Sequence, residues 1–201
     1  RPRYHFATHP LPITQAKHFD ASAIAEIGRI AFPLTYAGSL DPSVIATVVG
    51  ALYTDEAVAA DIRRAESAPE SRFLVVVSGD RADGVPRVDG FLHYDELGPE
   101  PELHRIYLRP AAIGTGAGSA LMRALHESLA LDRRYVVLVA ATNDRAVAFY
   151  RRHGLQVRES VDGVDYYRRR MGVDIDPNAA QYPAYVMQRR EVGPTGTVDA
   201  G

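Results

Sequence analysis

Apolar positions along this chain alternate between a period of two and a period of three to four, and the changes of period mark its elements. Ile13 to Ala16 read as a first strand. Asp20 then precedes a helical pattern at Ile24, Ile27 and Ala31, as an N-cap would, and the cluster from Phe32 to Gly38 breaks it at Pro33. Asp41-Pro42 opens a second helix, with proline at a first-turn position it tolerates. Thr54 or Asp55 caps a third that runs to about Glu66. The unbroken run Phe73-Leu74-Val75-Val76-Val77 has the length of a strand buried on both faces. After a turn over 79–86, residues 88–94 form its antiparallel return.

The second half repeats a strand–helix rhythm. Residues 102–108 read as a strand, which Pro110 ends because it has no N–H to donate. Ala120, Leu121, Leu125 and Leu129 share a helical face, predicting a helix over 115–130, a strand over 135–140 and a helix over 143–153 that Gly154 stops. Residues 155–161 form a strand, Asp162-Gly163 a turn, 164–167 a return strand, 168–181 a loop and 182–188 a last strand. Residues 1–12, with three prolines, read as an irregular arm. Residues 191–201, with no apolar residue larger than valine, read as a mobile tail. A single domain over 13–190 is the expected organisation, large enough to bury a core.

Composition narrows the function classes. The chain has 201 residues, is 46% hydrophobic and carries a net charge of −2, which gives no electrostatic case for nucleic acid or an anionic membrane as partner. Without cysteine there are no disulfides, thiolate metal sites or cysteine nucleophiles. The seven histidines form no metal-ligand pair, so no metal is expected. No apolar run reaches the length of a membrane span, and the expected location is the cytoplasm. A homodimer is compatible with the sequence, which does not specify one.

Candidate chemistry sits where the strand over 102–108 meets its helix. Gly114, Gly116 and Gly118 open that helix at alternate positions, where backbone N–H groups lack intrahelical partners and the helix dipole is positive. Such an end is a cradle for a diphosphate. A P-loop is excluded because Ser119-Ala120, not Lys-Ser or Lys-Thr, follows the last glycine. A dinucleotide turn is excluded because Ser119 stands where its third glycine belongs, and Val136 to Val139 where its acidic residue belongs.

The run from Ile106 to Leu121 resembles the coenzyme A motif of the GNAT superfamily of acyl-CoA-dependent N-acetyltransferases, with Ile113 where that family usually has Gln or Arg. A second segment, Asn143-Asp144-Arg145-Ala146-Val147-Ala148-Phe149-Tyr150-Arg151-Arg152-His153-Gly154-Leu155, resembles the family's Asn-x-x-Ala-x-x-Phe-Tyr-x-x-x-Gly-Phe stretch at the matching distance. The resemblance implies an α/β GNAT fold: a mixed six- to seven-stranded sheet with helices on both faces and two splayed central parallel strands. It implies acetyl-CoA as co-substrate. The pantetheine arm falls to the backbone at Ile106 and Leu108, and the pyrophosphate to Ile113, Gly114, Thr115, Gly116, Ala117, Gly118 and Ser119. Asn143 is assigned to the pantetheine arm or to the helix start. Tyr150 matches the tyrosine that stabilises the leaving thiolate in many members.

A base is needed because an alkyl amine with a pKa near 10.4 is almost wholly protonated at pH 7. Strict alternation would put Glu102, His104, Ile106 and Leu108 on one strand face. Glu102 matches the family's catalytic carboxylate, and His104, one step nearer, is the other candidate. The resemblance places the acceptor pocket at Phe32, Tyr36, the helices over 41–66 and Tyr166-Tyr167. A looser likeness to bacterial polyamine acetyltransferases lies in Phe32 to Tyr36, Leu103 to Leu108 and Tyr185 to Met187. The expected reaction is acetyl transfer to the primary amine of a small molecule. Transfer to a protein or peptide amine, and a non-catalytic acyl-CoA-binding module, are the alternatives.

Overall fold

The computed structural model describes residues 11–80, 86–130, 133–170, 172–176 and 179–189. The expectations for residues 1–10, for the turn residues 81–85 and for the tail over 191–201 lie outside the described residues.

Among the described residues, seven strands form one mixed sheet. They are β1 (Ile13–Gln15), β2 (Arg72–Asp80), β3 (Pro86–Asp95), β4 (Glu102–Leu108), β5 (Val136–Ala140), β6 (Leu155–Asp162) and β7 (Pro183–Arg189), in spatial order 1-2-3-4-5-7-6. β1 to β4 are antiparallel neighbours, and β7 inserts between β5 and β6, antiparallel to both. Between them, β4 and β5 run parallel.

Helices cover both faces. On one lie α1 (Ala21–Tyr36), α2 (Pro42–Leu52), α3 (Asp55–Ser67) and α6 (Gly163–Arg170), and on the other α4 (Ala117–Ser128) and α5 (Asp144–Arg152). The run in β2 feeds both layers, as its unbroken apolarity requires: Phe73 and Val75 pack with α1 to α3, Leu74 and Val76 with α4. The GNAT architecture expected from the sequence is the one observed.

Local chemistry accounts for the helix starts. The Asp41 carboxylate accepts the Ser43 N–H at 2.8 Å, and Thr54 Oγ1 accepts the Ala57 N–H at 3.0 Å. Asp20 differs from expectation. Its carboxylate accepts the Lys17 N–H at 2.8 Å and closes the short turn before α1, and no side-chain cap holds α1 itself.

Two further expectations are corrected. Pro33 does not end α1, which continues to Tyr36, with the Ala37 N–H reaching the Pro33 carbonyl at 2.9 Å. An internal proline costs roughly 3 kcal/mol. Here Phe32 and Tyr36 are both buried in an aromatic cluster that only a continued helix can fill. The expected return strand over 164–167 is instead part of α6, which runs on to Arg170 and takes up the first residues of the expected loop; the described residues from 172 to 181 form no helix or strand. Asp162 Oδ1 accepts the Val164 N–H at 2.9 Å, Asp165 pairs with Arg168 and Arg169 one turn on, and Val164 and Tyr167 turn into the core.

The β3–β4 ladder carries a bulge. Arg105 pairs with His93 and Leu103 with Tyr94, which leaves His104 as an extra residue. The expected common face for Glu102, His104, Ile106 and Leu108 is therefore not formed. Leu103, Ile106 and Leu108 pack toward α4, while Tyr107 packs toward α1 to α3 and Glu102 meets α6.

His126, on α4, lies 2.8 Å from the Tyr135 hydroxyl. Burial first, then the charges of Arg189 and His153, hold its pKa down at about 4. The unfolded chain takes up a proton near pH 6.5 that the folded chain refuses. This contribution to stability is whole above pH 6.5 and is lost as the pH falls toward 4. Urea unfolding at pH 7.5 and pH 5 should show a smaller loss of midpoint on acidification in His126→Gln than in the wild type.

Candidate active site

β4 and β5 share a single register pair, Glu102 with Val136, next to a bond from the Val136 N–H to the Pro101 carbonyl at 3.0 Å. Beyond it the strands part, and a cleft of about 900 Å³ opens between them. Ile106 and Leu108 of β4 face Val137 to Val139 of β5 across it. Both faces of β4 reach this gap, so Glu102 and His104 line it together with Ile106 and Leu108 despite the bulge.

At one end the cleft meets the start of α4. Gly114 and Gly116 have φ of +85° and +91°, a left-handed backbone that suits glycine, and a Cβ on either would meet no protein atom, only open space. Gly118 is packed closely instead: a Cβ there would stand 3.3 Å from the Phe149 ring of α5, which would have to shift by a few tenths of an ångström. Ala120 is the first residue to bond back, to the Gly116 carbonyl at 2.9 Å. The amides of Gly116 through Ser119 are thereby left without intrahelical acceptors. A diphosphate fits such an end.

The predicted cradle residues divide. Ile113, Gly114, Gly116, Gly118 and Ser119 line the cleft, with Ile113 43% exposed at its mouth. Thr115 points away and donates to the Ala112 carbonyl at 2.7 Å, and Ala117 is buried in the core. Ser119 Oγ lies 3.2 Å from His153 Nε2. Across the gap, Arg145 and Arg152 of α5 line the same wall. Asn143 accepts the Ala146 N–H at 3.0 Å, which uses its side-chain oxygen as the N-cap of α5.

Nearer the strand divergence lie the groups with acid–base chemistry. Glu102 is 4% exposed, and both its oxygens are engaged: Oε1 accepts the Tyr166 hydroxyl at 2.6 Å, and Oε2 stands 3.0 Å from Arg170 Nη2. His104 Nε2 stands 3.0 Å from Asp95 Oδ2, and its Nδ1 lies 3.8 Å from Glu102 Oε1. Burial, then the Glu102 carboxylate, pushes the Tyr166 phenol well up. Burial, then Tyr36 and Tyr135, does the same for Tyr150, whose ring also lines the cleft. Tyr150 therefore stays a phenol at any ordinary pH, a hydrogen-bond donor and not an acid.

Of the two residues predicted at the acceptor pocket, Tyr36 reaches the cleft, along with Tyr107, Tyr166 and Tyr167. Phe32 sits behind Tyr36, with ring centroids 4.5 Å apart, as core. Sequence reasoning missed Arg170 and Asp95. Arg170 was hidden in a segment read as loop, although Val164 and Tyr167 at helical spacing and the Asp165–Arg169 pair were available signals. Asp95 sits where the bulged ladder brings it to His104, which spacing alone does not reveal. Among the described residues, no group of three or more His, Asp or Glu is placed to hold a metal ion.

Residues 69–157 match the family model of an acetyltransferase (GNAT) domain, a span that includes β2 to β5, the cradle and α5. No curated protein matches the chain. Among solved structures, the chain is similar to the PaiA N-acetyltransferase of Thermoplasma acidophilum in complex with coenzyme A. That match has a TM-score of 0.65 and 20% identity, and covers 90% of this chain and 99% of the other. A ribosomal-protein-alanine N-acetyltransferase from Brucella melitensis aligns with a TM-score of 0.64 and 19% identity, over 90% and 99% of the two chains. YncA of Salmonella typhimurium, a putative acetyltransferase with its cofactor acetyl-CoA, aligns at 0.60 and 15%, over 96% and 98%. The family's sequence signature thus lies across the chain's centre, residues 69–157, and the fold of these acetyltransferase structures extends over the chain.

Proposed function

We propose that this protein is an N-acetyltransferase that moves an acetyl group from acetyl-CoA to the primary amine of a small molecule by direct attack. The observation that carries this reading is the cleft itself. One gap between parted strands joins an anion cradle to a buried pair of proton acceptors, Glu102 and His104, with a phenol donor, Tyr150, lining the same cleft.

The parts fit the coenzyme. The free amides at the start of α4 suit its diphosphate, and Arg145 and Arg152 offer the cationic charge that Ile113 does not. The facing edges of β4 and β5 past Glu102 suit the amides of the pantetheine arm, as an added strand would. When bound there, acetyl-CoA supplies a thioester carbonyl open to an amine.

This chain's residues then have three tasks. The Glu102–His104 pair receives the proton the amine sheds as its C–N bond forms. Tyr150 donates a hydrogen bond to the sulfur as the C–S bond breaks. Tyr36, Tyr107, Tyr166 and Tyr167 enclose the acceptor's body and exclude water. A small acceptor suits this end because it is walled from three sides, by α1, β4 and α6.

Calorimetric titration with acetyl-CoA, followed by thiol-release assays over a panel of small amines, tests the reading. Micromolar binding and turnover of at least one amine are expected. Absence of binding would overturn it. Tyr150→Phe should lower kcat by about 10²-fold with little change in KM for acetyl-CoA, the loss typical of one donor aimed at developing charge. An unchanged kcat would remove Tyr150 from the mechanism.

Ser119→Glu tests the cradle separately. A carboxylate in the first turn favours the helix dipole, so stability should stay within about 0.5 kcal/mol of the wild type. Affinity for coenzyme A should nonetheless fall by at least about tenfold from like charge facing the diphosphate. Thermal unfolding and calorimetry on the same sample read both effects.

A further inference from the structure

We infer that His104 Nδ1, and not the Glu102 carboxylate, takes the amine's proton, and that Asp95 is the positioning residue that gives His104 the tautomer it needs. The inference rests on the proposed acetyl transfer and names which of its two candidate bases acts.

The hydrogen-bond inventory separates them. Glu102 is already spoken for. Tyr166 donates to one oxygen and Arg170 neutralises the other, so protonating Glu102 would break an ion pair in a buried place. His104 is arranged the opposite way. Asp95 is ionised: burial works against its charge, but the His104 ring and the Leu97 N–H, bonded at 3.1 Å, outweigh burial and hold its pKa below the usual carboxylate range. A carboxylate only accepts, so the proton of a neutral His104 sits on Nε2, 3.0 Å from Asp95 Oδ2, and the lone pair sits on Nδ1.

That Nδ1 is buried and has no hydrogen-bond partner. It faces Glu102 Oε1 at 3.8 Å, so two acceptors oppose each other with no protein donor between them. An N–H is the group that satisfies both. An amine seated there donates toward Glu102 and gives up its other proton to His104. The resulting imidazolium lies between Asp95 at Nε2–H and Glu102 at Nδ1–H. Charge balances through the step: the C–N bond forms, the C–S bond breaks, the amine proton moves to Nδ1, and the sulfur leaves as a thiolate hydrogen-bonded by Tyr150.

His93 supplies the contrast. Its Nε2 is 3.8 Å from the same Asp95 oxygen, but its Nδ1 lies 2.9 Å from Arg105 Nη2, a group that only donates. The lone pair of His93 is therefore occupied, and its ring stacks on Phe73 away from the cleft. Burial, then Arg105 and His104, keeps it neutral. The groups that bear on His104 are thus His93 and Asp95 on β3, Glu102 and Arg105 on β4, and Tyr166 and Arg170 on α6. Arg64 of α3 acts on Asp95 and His93 through its charge.

Nitrogen-15 imidazole spectra of the whole protein at pH 8, without coenzyme, read the tautomer directly, the His104 signals being assigned by their loss in His104→Gln. A proton on Nε2 and a bare Nδ1 are expected, and Asp95→Asn should shift His104 toward a mixture of tautomers. A proton on Nδ1 in the wild type overturns the inference. In turnover, Asp95→Asn should lower kcat by about 10²- to 10⁴-fold with KM for acetyl-CoA unchanged. It should also move the acid limb of kcat/KM to lower pH, because the imidazolium loses an anionic neighbour. Asp95→Glu should recover part of the rate, and Glu102→Gln should keep the wild-type tautomer.

An Asp95→Asn enzyme with the wild-type pH profile and kcat overturns the inference, as does a Glu102→Gln enzyme that is dead while Asp95→Asn is not. A wild-type protein that releases thiol with no amine would defeat the proposed function instead. The tautomer spectrum would still decide whether Asp95 sets the His104 ring.

Discussion

One register pair, Glu102 with Val136, holds the two halves of the sheet together, and everything chemical in the molecule follows from the ladder stopping there. Backbone N–H and C=O groups along the facing edges of β4 and β5 lose each other past that point. Polar backbone left without partners in a protein interior is costly unless water or a ligand answers it. A parting sheet therefore creates both a space and a demand for something amide-bearing to fill it. Because parallel strands point the same way, the gap widens toward the start of α4, where unpaired amides are already gathered.

The fold also has to keep the gap from closing sideways. β7 does part of this by bonding along the whole of β5, which anchors it away from β4. α1 and α6 do the rest from one face: Tyr167 donates to the Tyr36 hydroxyl at 3.2 Å, and both rings pack with Phe32. The proline inside α1 and the helix after Asp162 are thus parts of one wall. The same wall sets the electrostatics. α6 brings Arg170 to Glu102, so the charge of that carboxylate is compensated by an ion pair.

The order and type of most elements were legible because the chain states them twice, in period and in punctuation. The unbroken run in β2, the caps Asp41 and Thr54, and the glycines before α4 each have one economical reading. What was not legible was decided by tertiary partners. Pro33 looks like a stop until Phe32 and Tyr36 have a cluster to join. Asp162-Gly163 is an ordinary turn signal until α6 packs on the sheet. The bulge at His104 leaves no mark in a pattern of alternate residues, and it moved Glu102 off the face of Ile106 and Leu108. The cradle and α5 could be placed by motif, whereas Asp95 and Arg170 came into the site only through ladder register and helix packing.

The two ends of the cleft are encoded in different materials. The cradle is written in backbone: amide directions and two left-handed glycines, with Thr115 and Ala117 turned away from the cleft. The far end is written in side chains, where Asp95, Glu102, His104, Tyr166 and Arg170 each depend on a particular neighbour's functional group. Random substitution would therefore erode the ends at different speeds. The backbone end tolerates drift in most of its letters, while a single change among the linked side chains alters the chemistry of the whole set. A lineage built on such a molecule can keep its cradle through many substitutions and still change the chemistry of the far end in a few.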